Sequence, residues 1–317
     1  MTKERVLYLD VLRIIAILGV LALHVQVTVF NPEIYYLFWS IATYCLPIFF
    51  MISGAIFLNK ETTIKLLYSK YILRIVTAFI FWSFLYAFIR TKGTFVEAFL
   101  KGEYHMWFIF VIIGLYMLVP LFKKIIENKK ILKYYLGISF IVGILIPSLQ
   151  SLLTPFLGSN LAFNTITEMP SQLHLSFFAS QFYFVMGYYL YRYGIPKAKR
   201  IPIYLLGLVC VITTIIYKNA AINEAIYGIA VFLLFKEIVS KMQIKPNVSN
   251  IIGKIAKLTF GVYLVHILVM KVVLNSIQLP ALNTFILFPI LLVIVYLISL
   301  FVAYLFSNIP ILNKYVL

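Results

Sequence analysis

Ten apolar stretches run along the chain, near 7–29, 38–58, 71–89, 106–122, 134–153, 175–191, 202–217, 222–240, 258–275 and 284–307, with short polar segments between them. A helix needs about 20 residues, at ~1.5 Å each, to cross the ~30 Å hydrocarbon core of a bilayer. The pattern therefore predicts an all-α polytopic membrane protein of about ten transmembrane helices. Only K-N-A-A-I-N-E, a very short turn, separates the seventh stretch from the eighth. The longest connection, about 154–174, is far below the ~50 residues of a small domain. One membrane domain over 1–317 is expected, with no appended soluble domain.

Composition supports this class. Hydrophobic residues make up 63% of the chain and charged ones only 12%, which excludes an ordinary soluble domain. The net charge is +17, and its placement is informative. With a cytoplasmic N-terminus, the even-numbered connections hold Lys60, Lys65 and Lys70, then Lys123 to Lys133, Arg192 to Arg200, and Lys236 to Lys257. The opposite connections hold only Arg90, Lys92, Lys101, Lys218 and, at a span end, Lys271. That asymmetry obeys the positive-inside rule and puts both termini in the cytoplasm. Inside-positive bias and contact with anionic membrane lipid account for the charge, so no nucleic-acid partner is implied. The first stretch is long and carries Asp10 and Arg13 near its start, unlike a cleavable signal. Cys45 and Cys210 both fall inside apolar spans and read as small buried hydrophobes. No metal-ligand spacing, phosphate-binding Gly-rich loop, G-x-S-x-G elbow or internal repeat is present.

Against this apolar background the first span holds three ionisable groups, Asp10, Arg13 and His24, in L-Y-L-D-V-L-R-I-I-A-I-L-G-V-L-A-L-H. At about 100° per residue, His24 returns to within roughly 20° of Arg13, and Asp10 lies within about 60° of the same line. The rise from Arg13 to His24 is about 16 Å, near half the hydrocarbon core. Charge at such depth costs on the order of 3 kcal/mol or more, so these groups should face a protein interior or a water-filled path. As a structural pair, Asp10 and Arg13 would merely neutralise each other.

Four other segments stand out. In L-P-I-F-F-M-I-S-G-A-I-F-L, Pro47 should kink the second span, and Ser53-Gly54 forms a small face for close packing or a ligand. In E-Y-H-M-W-F, at the outer start of the fourth span, Tyr104 and Trp107 read as interfacial anchors. Glu103 and His105 sit there at the depth of His24. The segment F-Y-F-V-M-G-Y-Y-L-Y, at 182–191, reads as packing plus an aromatic belt. F-G-V-Y-L-V-H leaves His266 near mid-membrane, either as an interhelical hydrogen bonder or as a functional group.

Together these segments resemble the acyltransferase-3 family of integral membrane O-acyltransferases, along nearly the whole chain. The pieces are L-D-x-x-R with R-x(10)-H (Asp10, Arg13, His24), P-x-F-F-x-x-S-G (Pro47 to Gly54, with Ser53) and Arg74 in S-K-Y-I-L-R-I. They continue with H-x-W-F…L-Y…P (His105 to Pro120, with Tyr116), F-x-x-G-Y-Y, and Y-L-x-H ending at His266. The resemblance implies a cytoplasmic acyl-CoA donor, usually acetyl-CoA, and an acceptor hydroxyl reached from outside. Such enzymes modify bacterial surface polysaccharides, peptidoglycan, antibiotics and lipids, in the bacterial plasma membrane. No permanently bound cofactor and no metal are expected.

Acyl transfer from a thioester to an alcohol needs a base, and a neutral imidazole, with reference pKa near 6.5, suits that task. It also needs donors for the developing oxyanion. His24 is the expected base, with Asp10 holding the Arg13 guanidinium. Arg13, Lys70 and Arg74, toward the cytoplasmic ends of their spans, are expected to hold the CoA phosphates. Glu103, His105 and Trp107 are expected on the acceptor side. A donor cleft should narrow toward His24 from the cytoplasm, with a second opening outside. Acceptor contacts are expected in 90–105, 154–174 and 275–283. The acyl chain, acetyl or succinyl, stays open, and the Lys-, Ile- and Asn-rich composition fits an A+T-rich bacterial genome. The strongest rival is an exporter or flippase of a lipid-linked glycan. It should show repeats or helices broken at mid-membrane, and neither is legible in the sequence.

Overall fold

The computed structural model describes residues 6–89, 94–158, 178–217, 221–276 and 283–316, and among these there is no β-strand. Arg90, Lys92 and Lys218, and most of the connections assigned to the acceptor, lie outside the described residues. In chain order the helices are α1 Leu7–Val29, α2 Pro32–Ala42, α3 Cys45–Phe57, α4 Ile64–Leu66, α5 Leu73–Ile89, α6 Phe95–Lys101, α7 Trp107–Met117 and α8 Val119–Glu127. Next come α9 Lys129–Phe140, α10 Ile146–Leu157, α11 Phe178–Arg192, α12 Lys197–Tyr217 and α13 Ala221–Lys241. The chain ends with α14 Pro246–Ser276, α15 Thr284–Ser307 and the short α16 Pro310–Tyr315.

Eight helical runs among the described residues are long and apolar enough to cross a membrane. The chain is thus an all-α, multi-pass membrane protein. The sixth and eighth apolar stretches of the sequence are helical too, as α11 and α13, but fall outside those eight. The described α11 has 15 residues, and α13 carries Glu224, Lys236 and Glu237.

Two spans are broken, the second beside the kink expected at Pro47 and the fourth without a sequence expectation. The second divides at Thr43–Tyr44, between α2 and α3. Pro47 explains the place: its ring has no N–H to offer and crowds the carbonyl four residues earlier, that of Thr43. The fourth begins at Phe95, well before the expected start near 106. Thr94 accepts a hydrogen bond from the Glu97 N–H, a T-x-x-E start signal, and Lys101 pairs with Glu97 at 2.8 Å. Gly102, at φ +69, then ends α6, and Tyr104–Met106 forms one 3-10 turn before α7. Few residues but glycine adopt that backbone angle easily, and a Cβ here would press on Phe79 and Ser83. The third span is also irregular, with a π-helical segment, Leu67–Ile72, joining α4 to α5.

The chain forms two compact units. The first takes 1–19, 32–61 and 119–243. At its centre α3 and α11 pack backbone to backbone. A Cβ on Gly54 would lie 1.7 Å from the Phe184 carbonyl oxygen, and one on Gly187 would lie 1.9 Å from that of Met51. Gly54 of the small face thus meets the phenylalanine of the F-x-x-G-Y-Y segment, Phe184, and that segment's glycine, Gly187, meets Met51. Beside them α12 lies against α13, where the Tyr204 hydroxyl donates to Glu237 at 3.0 Å. Lys236 caps the end of α11 by donating to the Leu190 carbonyl at 2.7 Å. Cys45 and Cys210 are both buried and unbridged.

The second unit takes 20–31, 62–118 and 244–317. The long α14 packs along α15, α6 folds back on α5, and the Trp82 ring stacks on Phe306 with centroids 5.7 Å apart. The helix α1 supplies its first part to one unit and its last part to the other.

Candidate active site

Within the second unit, three of the chain's four histidines converge. His24 comes from the end of α1, His105 from the 3-10 turn and His266 from the middle of α14. Ring centroids lie 5.1 Å apart for His24 and His266, 5.0 Å for His105 and His266, and 6.5 Å for His24 and His105. His105 is 4% exposed and His266 1%. Clustered imidazoles at such burial, in a chain so apolar, need a polar purpose, because each unsatisfied buried group costs about 1–3 kcal/mol.

Their surroundings hold them in register. The Tyr263 hydroxyl donates to the backbone carbonyl of His105 at 2.7 Å, fixing the 3-10 turn to α14. Tyr86 of α5 donates to the Leu264 carbonyl at 2.8 Å and accepts from the Leu268 N–H at 3.2 Å. Those two groups flank His266 and are the pair that an undisturbed helix would join to each other. The Tyr86 ring also stands edge-on to His105, with centroids 5.6 Å apart. Nδ1 of His266 lies 2.7 Å from the Tyr263 carbonyl oxygen. A carbonyl only accepts, so Nδ1 carries the proton, and the neutral ring keeps its lone pair on Nε2. That Nε2 has no hydrogen-bond partner among the described residues, and the His105 ring lies beside the backbone of Tyr263 and Leu264. Nδ1 of His24 faces the Tyr104 hydroxyl at 3.2 Å. A hydroxyl can accept from Nδ1–H, which leaves Nε2 of His24 to take a proton.

The sequence-derived candidates divide clearly. His24, His105 and His266 meet. Glu103, at the edge of the cluster, pairs with Lys271 at 2.9 Å. Trp107 opens α7 with half its surface exposed and packs on Phe108, while Tyr116 is buried farther along the same helix. Tyr104 departs from its expected role as an anchor, since its hydroxyl reaches His24. Lys70 lies in the π-helical segment, and Arg74 donates to the Asn313 carbonyl at 3.5 Å, both exposed. Asp10, Arg13 and Ser53 belong to the first unit. There Arg13 and buried Asp10 form an ion pair at 3.2 Å, so the one-turn spacing does place carboxylate against guanidinium.

Tyr86, Tyr263 and Lys271 escaped the sequence reading as partners of the cluster. Tyr263 lay inside Y-L-x-H, one turn before His266, and was the one legible signal. No group of three or more His, Cys, Asp or Glu among the described residues is arranged to hold a metal ion. The family model described as an acyltransferase domain matches residues 6–308. No curated protein and no solved structure matches the chain.

Proposed function

The chain belongs to the acyltransferase-3 family, and we propose that this membrane acyltransferase moves an acyl group, acetyl first, from cytoplasmic acyl-CoA to a hydroxyl of an extracytoplasmic glycan or lipid-linked sugar. The bacterial plasma membrane is the setting that this reading implies. The observation that carries it is the histidine cluster: His24 stands beside two further buried imidazoles, oriented through Nδ1 by Tyr104.

In this mechanism Nε2 of His24 takes the acceptor's hydroxyl proton as the oxygen attacks the thioester carbonyl carbon. The C–O bond forms, the C–S bond breaks, and the departing thiolate receives the proton from the imidazolium. On the donor side the assignment rests on sequence: Arg13, Lys70 and Arg74 are the cations toward the cytoplasmic span ends. Arg74 spends one donor on Asn313, which leaves most of its five N–H groups for phosphate oxygens.

The exporter reading gains one observation, the breaks at Thr43–Tyr44 and Gly102–Met106. Broken helices serve an acyltransferase equally well, since the second break delivers His105 to the cluster. Thiol release from acetyl-CoA by the purified protein, with and without candidate glycans, separates the two. Wild type should release CoA thiol, and His24→Ala should not, while expressing and binding CoA like wild type. An exporter would release none. Substantial turnover by His24→Ala would move the base to His105 or His266.

A further inference from the structure

The turn Tyr104–Met106 delivers both Tyr104 and His105 to the cluster, and it has little to hold its own shape. One backbone hydrogen bond closes it, from the Met106 N–H to the Glu103 carbonyl at 2.8 Å. A single 3-10 turn is too short to persist alone. Its place is set instead by two ties to α14. Lys271 donates to the Glu103 carboxylate at 2.9 Å, and the Tyr263 hydroxyl donates to the His105 carbonyl at 2.7 Å. The two donors stand on α14 about 12 Å apart along its axis, and Tyr104 lies in sequence between the two tied residues. The Lys271 ammonium also sits 5.9 Å from the centre of the Tyr86 ring. The Glu103 side chain is only 11% exposed, unlike that of a freely solvated surface pair. Without Lys271 a largely buried carboxylate would lose its counter-charge.

What the ties secure is the contact of Tyr104 with His24. Tyr104 is more than half exposed, so water competes for its hydroxyl, and a fixed backbone is what keeps that hydroxyl 3.2 Å from Nδ1. The contact matters most once Nε2 has taken a proton. The imidazolium then carries N–H on both nitrogens, and Nδ1–H needs an acceptor. The phenol oxygen supplies it, while the carboxylate next in sequence, Glu103, is engaged by Lys271. We propose that Glu103 and Lys271 are a positioning pair, which holds the turn so that Tyr104 stays on Nδ1 of His24. Calling His24 the base rests on the acyltransferase reading; the positioning itself does not. The role is distinct from contact with the acceptor, since the pair works through another residue.

The test uses the full-length protein in lipid nanodiscs, with acetyl-CoA and an envelope glycan fraction as substrates. Tyr104→Phe should lower the maximal rate of thiol release about ten- to a hundredfold, the worth of a hydrogen bond to a charged group. Lys271→Met should lower it less, and Lys271→Arg, which keeps the charge and the donors, should recover most of the rate. Half-saturating amounts of both substrates should stay within about twofold of wild type. Because Lys271 acts through Tyr104, the double variant should be no slower than Tyr104→Phe alone. Full additivity in the double variant, or a loss confined to half-saturation, would overturn the proposal. Glu103→Gln with Lys271→Met removes the tie without stranding a charge, and it carries the same test if Lys271→Met alone fails to fold. Nitrogen-15 in the histidine rings reads the contact without turnover, and with four histidines in the chain single substitutions assign the spectrum. The Nδ1 signal of His24 should shift in the same direction in Tyr104→Phe and Lys271→Met. It should not shift in Lys124→Met, which breaks an exposed ion pair with Glu127. A His24 signal unmoved by Lys271→Met would also overturn the proposal. If wild type releases no thiol while both variants move the signal, the acyltransferase reading falls and the positioning stands; release with an unmoved signal does the reverse.

Discussion

At the scale of residues, polar groups placed in an apolar helix are the informative ones, because each needs a reason to be there. The spacing of Asp10, Arg13 and His24 was legible for that reason, and the ion pair at 3.2 Å follows from it. The meeting of His24 with His105 was legible from matched depth. Its completion by His266 was not, since nothing in one chain's sequence states which helix a mid-membrane histidine will face. The partners Tyr86 and Tyr104 were hidden for a related reason: in a chain with 23 tyrosines, one more tyrosine reads as packing. Arg13 and Arg74 should act mainly on the donor. Replacing either with Ala removes a charge-assisted contact worth on the order of 1.5–3 kcal/mol, so CoA should bind about ten- to a hundredfold more weakly, with acceptor affinity little changed. Isothermal titration showing unchanged CoA affinity for both variants would reduce them to structural charges.

At the scale of elements, apolar length located the helices, and local chemistry decided where they break. Pro47 signalled the interruption before it. At Thr94 the T-x-x-E sequence caps α6, a start that apolar length alone did not mark. The π-helical segment at Leu67–Ile72 left no pattern in the sequence. The contact of α3 with α11 was half legible, as a small face without a known partner. It yields a clear expectation. Gly54→Ala and Gly187→Ala each force a Cβ into a backbone carbonyl, at 1.7 and 1.9 Å, so the helices must part. Overpacking of this kind costs roughly 1–3 kcal/mol. Thermal unfolding in detergent should show both variants melting clearly below wild type, while Gly114→Ala, with open space around it, stays close. Equal melting for all three would mean that α3 and α11 do not touch at these glycines.

At the scale of the whole molecule, class was the easiest property to read and sidedness the most consequential. On the proposed reading, the lysine and arginine asymmetry sets Lys70 and Arg74 on the cytoplasmic side, and the acceptor hydroxyl arrives from the other. The central claim is therefore acyl transfer across a membrane, through His24. The most direct measurement reconstitutes oriented protein in liposomes, with radiolabelled acetyl-CoA on one face and an envelope glycan fraction on the other. Label should reach the glycan only when acetyl-CoA is supplied to the face bearing Lys70 and Arg74, with thiol released in equal amount, and His24→Ala should abolish both. Labelling that persists at wild-type level in His24→Ala, or glycan that crosses the membrane unlabelled with no thiol release, would contradict the account.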